Sequence, residues 1–247
     1  MLVLVAAGQL PPGVFLHANT GDDSEDPRTV AYLADVAAPF AERHGIELVV
    51  LQPRESLLAR LERTDGDLIP WMISPENRGT RACTVEWKLR RIGAELLARG
   101  ASPQDPATVC LGISTDELSR ANTARQQPYE RITYPLLGMD LEAPEVRLSR
   151  ADCMAVIARA GLPVPPKSAC WFCPFRSREA WAEMRRDRPE LFDRAVALES
   201  AKSARAVERG RRPLTLLRTY RPLHTLPPAP DTLFGDDGCD DNAGCWL

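Results

Sequence analysis

Along the first half of the chain, apolar residues alternate between short continuous runs and stretches with a helical period. Met1 to Gly8 reads as a short helical piece, closed by a Pro11-Pro12-Gly13 turn. Val14-Phe-Leu-His-Ala18 has the length and flanks of a buried strand. Thr29 to His44 sets Val30, Leu33, Val36, Ala37 and Phe40 at helical spacing, and Gly45 follows as a stop signal. Ile46 to Leu51 is a second buried strand, Leu57 to Leu61 a short helix, and Val109 to Ile113 a third strand.

This rhythm predicts an α/β fold, a parallel sheet with helices on both faces. Two strands end in polar turns, Asn19-Thr20-Gly21-Asp22-Asp23 and Ser114-Thr115-Asp116-Glu117. Ligands of open parallel sheets bind beyond the carboxyl ends of strands, so the first turn stands where a nucleotide would sit. A plain strand-to-helix connection, capped by Ser24 or Asp26, accounts for the same residues.

The pattern then becomes mainly helical. Tyr134 to Leu137 reads as a short strand or extended segment. Ser149 to Ala160 is a helix with Cys153, Val156 and Ile157 toward a core, and Glu179 to Ser200 is helical with Pro189 dividing it in two. A proline-rich stretch leads to an acidic, cysteine-containing tail from Phe234. The expected organisation is an α/β nucleotide-binding domain over residues 1–147 and a helical, cysteine-bearing region over 148–247.

Composition is that of an ordinary globular chain, 44% hydrophobic and 26% charged. The apolar start lacks a preceding basic segment, and no apolar run approaches the roughly 20 residues of a membrane span. The reading is cytoplasmic, with no membrane. A net charge of -3 gives no global argument for nucleic acid, but Arg78 to Arg91 is basic and Asp231 to Asp241 acidic. In the basic stretch Arg81 and Lys88 are candidates for binding phosphate. Cys83, at a helix start beside cations, would have its thiolate favoured. A solvated basic helix with one half-buried cysteine fits the same pattern.

Seven cysteines, an odd set without an export signal, favour metal or redox chemistry over a disulfide framework. Cys170-Trp-Phe-Cys173 puts two of them at C-x-x-C spacing in an apolar, proline-bracketed loop, so both sulfurs could face one metal or cluster. The motif follows a helix and a Pro-Pro pair, unlike the strand-to-helix junction of thioredoxin-type dithiols. Cys83 with Cys239 or Cys245 could supply the remaining ligands. Cys110 and Cys153 read as buried apolar residues. The three imidazoles, His17, His44 and His224, lie far from any cysteine in sequence, which favours a thiolate-dominated site. Zinc and iron-sulfur both fit.

Five motifs in order, Arg81-Ala-Cys83-Thr-Val-Glu-Trp-Lys88, Gly112-Ile-Ser-Thr-Asp116-Glu117 with Arg120, Tyr134-Pro-Leu, Leu148-Ser-Arg-Ala-Asp-Cys153 and Pro166-Lys-Ser-Ala-Cys170-Trp-Phe-Cys173-Pro-Phe, resemble the phosphoadenosine phosphosulfate reductase family. The chain looks closest to bacterial members allied to the DNA-phosphorothioation sulfurtransferases. The resemblance implies a Rossmann-like, adenine nucleotide α-hydrolase-like sheet that binds ATP or an adenylyl sulfonucleotide. It places Asn19, Thr20, Gly21, Asp22, Asp116 and Arg120 near that nucleotide and makes Cys83, Cys170 and Cys173 ligands of an iron-sulfur cluster, 4Fe-4S in type, with zinc as the alternative.

Two departures shape the expectation. The family's Ser-Gly-Gly-x-Asp-Ser phosphate loop, between its first strand and first helix, is absent because the chain begins where that first helix should already be under way, and a misassigned start accounts for this more simply than a true loss. Cys83 is single where reductases carry adjacent cysteines, and the tail differs from the family's catalytic one, leaving Cys245 as a fourth ligand or a mobile sulfur-handling thiol. The implied function is an adenine-nucleotide-dependent sulfurtransferase that adenylates an acceptor and then transfers sulfur to it. Its partners would be a sulfur donor such as a cysteine desulfurase and a nucleic-acid acceptor, DNA or tRNA. The alternatives are a sulfonucleotide reductase using a tail cysteine, and a non-catalytic zinc- or cluster-bound interaction module.

Overall fold

The computed structural model describes residues 1–64, 68–75, 77–121, 126–138 and 146–227. Its elements follow the apolar pattern closely in the first half. Helix α1 (Leu2–Ala6) precedes strand β1 (Phe15–Ala18). A continuous helix then runs through α2 (Pro27–Tyr32), a π-helical turn (Leu33–Ala37) and α3 (Ala38–Arg43). Asp26 starts it, its carboxylate accepting from the Arg28 amide with Pro27 at the first helical position. Strand β2 (Leu48–Leu51) pairs with β1 in parallel, Phe15 opposite Leu48 and Ala18 opposite Leu51.

Helix α4 (Leu57–Arg63) is capped by Ser56, and β3 (Met72–Ser74) forms a small antiparallel pair with β4 (Asn77–Arg78) that the apolar pattern does not announce. The basic stretch enters a π-helical turn (Thr84–Leu89) and continues as α5 (Arg90–Ala98). Strand β5 (Ala107–Cys110) pairs in parallel with β6 (Glu130–Thr133). Helix α6 (Arg150–Arg159) begins at a reciprocal capping box between Ser149 and Asp152. Helices α7 (Arg178–Asp187) and α8 (Pro189–Glu208) divide at Pro189, as expected.

The fold is therefore mixed α/β, but among the described residues its strands form two parallel pairs and one antiparallel pair rather than one continuous sheet. Three expectations are corrected. The third strand spans Ala107–Cys110 instead of Val109 to Ile113, because its ladder partner is the polar Glu130–Thr133 segment. Tyr134 to Leu137 is consequently a turn after β6, with Leu137 in an isolated bridge to Arg147, rather than a short strand or extended segment. Cys110 is exposed rather than buried, since β5 alternates and ends on its open side. Cys153 does pack against a small core of Leu4, Leu10 and Leu136.

The main core joins both halves of the chain. Leu57, Leu61, Trp71 and Trp87 meet Trp171, Phe172, Trp181 and Leu216, most of them almost fully buried. Each large side chain removed from water in this way contributes about 1.5–3 kcal/mol relative to exposure. The C-x-x-C loop is part of this core through Trp171 and Phe172, so its backbone is fixed by packing. Among the described residues no helix is long and apolar enough to cross a membrane.

Candidate functional site

The turn after β1 and the C-x-x-C loop, 150 residues apart, are clasped together. The Asp26 amide donates to the Ala169 carbonyl (3.0 Å), the Trp171 amide to Ser24 (3.1 Å), and the Trp171 indole N–H to the Asp23 carbonyl (2.7 Å). Glu25 and Cys170 form an isolated antiparallel bridge between them. The N-terminus of α4 braces the turn from its other side: the Leu57 amide donates to Thr20 (2.7 Å) and the Leu58 amide to the Ser24 hydroxyl (2.9 Å).

At the centre of this junction Thr20 Oγ1 donates to Glu25 Oε1 (2.9 Å) and lies 3.3 Å from Cys170 Sγ. The hydroxyl and the thiol stand within hydrogen-bond distance, and either can donate to the other. Burial pushes the Cys170 thiol up, and Glu25 adds to the effect, while Lys88 and the Thr20 hydroxyl oppose it and Cys83 reinforces it. Cys170 is thus held as a thiol among groups that feel its charge. Burial also lowers His17, with Glu25 pulling the other way and Lys88 adding to the lowering.

These mutual effects bring together Thr20, Lys88, Cys83 and Cys170 of the sequence-derived set. They add His17 and Glu25, which residue type and local spacing do not place there. His17 Nε2 and Glu25 Oε2 are buried with no hydrogen-bond partner. An imidazole beside the site modifies the thiolate-dominated expectation: β1 carries His17 in, and only pairing of distant segments reveals it.

The other expected residues are distributed as follows. Asn19 is consumed by the turn, donating to Asp22 (2.6 Å) and Gln52 (3.1 Å) and accepting from the Gly21 amide (2.8 Å). Gly21 has φ of +116°, and a Cβ there would meet Ser56 Cβ at 2.3 Å, so the turn requires glycine. Arg81 stacks over Phe175, 5.1 Å from the ring centre. Asp116 accepts from the Arg150 amide (2.5 Å) and so caps α6, and Arg120 pairs with Glu117 (2.8 Å). Those contacts lie within the 116–150 region and do not reach the turn after β1. Cys245, like Cys239, lies outside the described residues.

A thiophilic group finds a partial fit. Cys83 and Cys170 pack against the same core and influence each other's charge, and both are sulfur donors of the type zinc and iron favour. The Cys173 amide donates to the Cys170 carbonyl (3.1 Å), while its side chain packs with Met72, Phe175 and Tyr220. Among the described residues no three His, Cys, Asp or Glu side chains converge as a metal-binding group.

Beneath the junction, Asp26 is almost fully buried and gathers three arginines. Arg188 Nη1 donates to both its oxygens (2.7 and 2.8 Å), Arg28 lies at 3.4 Å and Arg176 at 3.5 Å. Burial alone would raise the Asp26 carboxyl, but its hydrogen bonds from Arg188 and Arg28 and the neighbouring guanidinium charges hold it below the usual range. Compared with protein-family models, curated proteins and solved structures, the chain matches none of them.

Proposed function

We propose that this protein is an adenine-nucleotide-dependent sulfurtransferase of the phosphoadenosine phosphosulfate reductase type, with a Rossmann-like nucleotide-binding half. The observation that supports this reading is the 3.3 Å contact between Thr20, in the turn proposed to face the nucleotide, and Cys170 of the C-x-x-C loop. Nucleotide and sulfur chemistry would then share one junction.

In this reading Cys83, Cys170 and Cys173 would hold an iron-sulfur cluster, with Cys245 as the fourth ligand. Such a cluster, once bound, supplies a thiolate-ligated iron able to carry sulfur. Lys88 would offset negative charge from thiolates and phosphates alike, and Thr20 would orient the Cys170 sulfur. Asn19 and Gly21 would shape the turn, while Trp171 and Phe172 exclude water from the thiol side.

Anaerobic purification followed by iron, sulfide and zinc analysis tests the proposal. The expected result is bound iron and acid-labile sulfide, with visible colour lost on Cys170→Ala or Cys83→Ala and kept on Cys110→Ala, whose thiol is exposed. Zinc without sulfide would overturn it in favour of a structural, non-catalytic module.

A further inference from the structure

The arginines that follow the C-x-x-C loop do more than balance Asp26. Residues 217–227 fold back along α7: Arg218 Nη2 donates to the Phe175 carbonyl just before the helix (3.1 Å), and Arg185 in its last turn donates to the Leu226 carbonyl. Between them lies a cavity of 470 Å³, within the range of small-ligand pockets. Arg176, Arg178, Arg218 and Arg221 line it, with the hydroxyls of Ser177 and Thr219. Against four guanidiniums, Glu179 is the one acidic lining residue among those described.

Like charges gathered at a helix N-terminus raise the free energy of an empty site, because that end already carries positive partial charge. Arg178 and Arg221 are exposed and have no ion pair among the described residues. Arg176 is the opposite case, its side chain 9% exposed. It donates to the Cys170 carbonyl (3.3 Å), while its Nε is buried without a partner. Phe175 links the cavity to the basic stretch, since Arg81 and Arg218 both stack on its ring, at 5.1 and 5.8 Å. A buried donor, a helix N-terminus and flanking guanidiniums form the donor set that recognises phosphate oxygens.

We infer that the cavity between the N-terminus of α7 and residues 217–227 binds a phosphate ester, held by Arg176, Arg178, Arg218 and Arg221 beside the C-x-x-C loop. This goes beyond the sulfur-transfer reading and stands without it. The ester's source is a free nucleotide or a nucleic-acid strand, which share this chemistry.

The test is binding to the full chain, without added iron or ATP, of inorganic pyrophosphate by calorimetry and of a labelled single-stranded oligonucleotide by anisotropy over a salt series. Arg178→Ala/Arg221→Ala, both changes at exposed side chains, is expected to weaken binding about tenfold. For the oligonucleotide, the slope of log affinity against log salt should fall by about 1.4, two contacts at about 0.7 each. Binding of pyrophosphate alone supports the site and assigns it to a free nucleotide. Oligonucleotide binding that pyrophosphate displaces supports it and assigns it to a strand. Binding of neither probe overturns it, as does equal weakening by the control Arg90→Ala/Arg159→Ala, which lies outside the cavity. Anaerobically purified protein that holds zinc without sulfide yet binds pyrophosphate would defeat the sulfur-transfer proposal and leave this one standing.

Discussion

Thr20 Oγ1 lies 3.3 Å from Cys170 Sγ while donating its hydrogen to Glu25 Oε1 at 2.9 Å. One hydroxyl therefore ties a buried carboxylate to a buried thiol across the junction on which the proposed chemistry depends.

Replacing that hydroxyl tests the link with little change of shape. Glu25 is 1% exposed, and Thr20 supplies the side-chain hydrogen bond to its carboxylate. Thr20→Val leaves that group without its donor and is expected to cost about 1–3 kcal/mol, while Thr20→Ser recovers most of the loss. Urea unfolding of the two variants decides it: equal midpoints for Val and wild type would remove the hydroxyl from the account.

Gly21 makes the same turn possible by a different route. Its φ of +116° disfavours any L side chain, and an added Cβ would come within 2.8 Å of Asp23 Oδ1 and 3.0 Å of the Ser56 Cα. Backbone strain and crowding each cost about 1–3 kcal/mol, so Gly21→Ala should be among the more destabilising single-methyl changes in the chain. Gly45→Ala is the useful comparison. It shares a positive φ but meets nothing within 4 Å, so its smaller loss isolates the strain from the crowding.

The strands β1 and β2 were legible because each is a continuous apolar run bounded by turn residues. Strand β6 was not, because Glu130-Arg-Ile-Thr133 holds a single apolar residue, Ile132, among polar ones and carries no apolar run. Missing it displaced the expected strand to Tyr134 to Leu137 and hid the exposure of Cys110. Within the candidate site, Cys83, Cys170 and Thr20 could be picked out by residue type and local spacing. Glu25 and Arg188 could not, and Asp26 was legible only as the helix cap it is, since an isolated charge in sequence has no visible partner. Asp26 and Arg188 are 162 residues apart. What brings them together is the clasp between the β1 turn and the C-x-x-C loop, a tertiary relationship without a periodic trace.

Asp26 gives the acid limb of stability a specific origin. Its carboxylate is 1% exposed and bonded twice by Arg188, so Asp26→Asn, which removes the charge and leaves the guanidiniums unneutralised, should cost about 3–5 kcal/mol at neutral pH. The native-state value lies below the ordinary 3.8, so the unfolded chain takes up the proton first as pH falls. The contribution is complete above that ordinary value and is lost as pH drops through the native one. Denaturation midpoints of wild type and Asp26→Asn should therefore differ by a constant amount near neutrality and converge below about pH 4. A gap that persists unchanged into strong acid would assign the loss to shape rather than to charge.

Glu199 offers a last test, because it connects stability to the arginine-lined cavity. From α8 its two oxygens accept the amides of Leu216 and Leu223, each at 2.6 Å, and its side chain is buried. These bonds pin both ends of the segment that carries Arg218 and Arg221. Glu199→Ala strands two buried N–H groups, at about 1–3 kcal/mol each, whereas Glu199→Gln keeps one carbonyl acceptor and should lose roughly half as much. If the segment is held in place by this carboxylate, pyrophosphate affinity should fall in the same order, wild type above Gln above Ala, even under conditions where all three remain folded. Matching losses of stability with unchanged pyrophosphate binding would show that the segment keeps its position through Arg185, Arg218 and the packing of Leu216 and Leu223 alone.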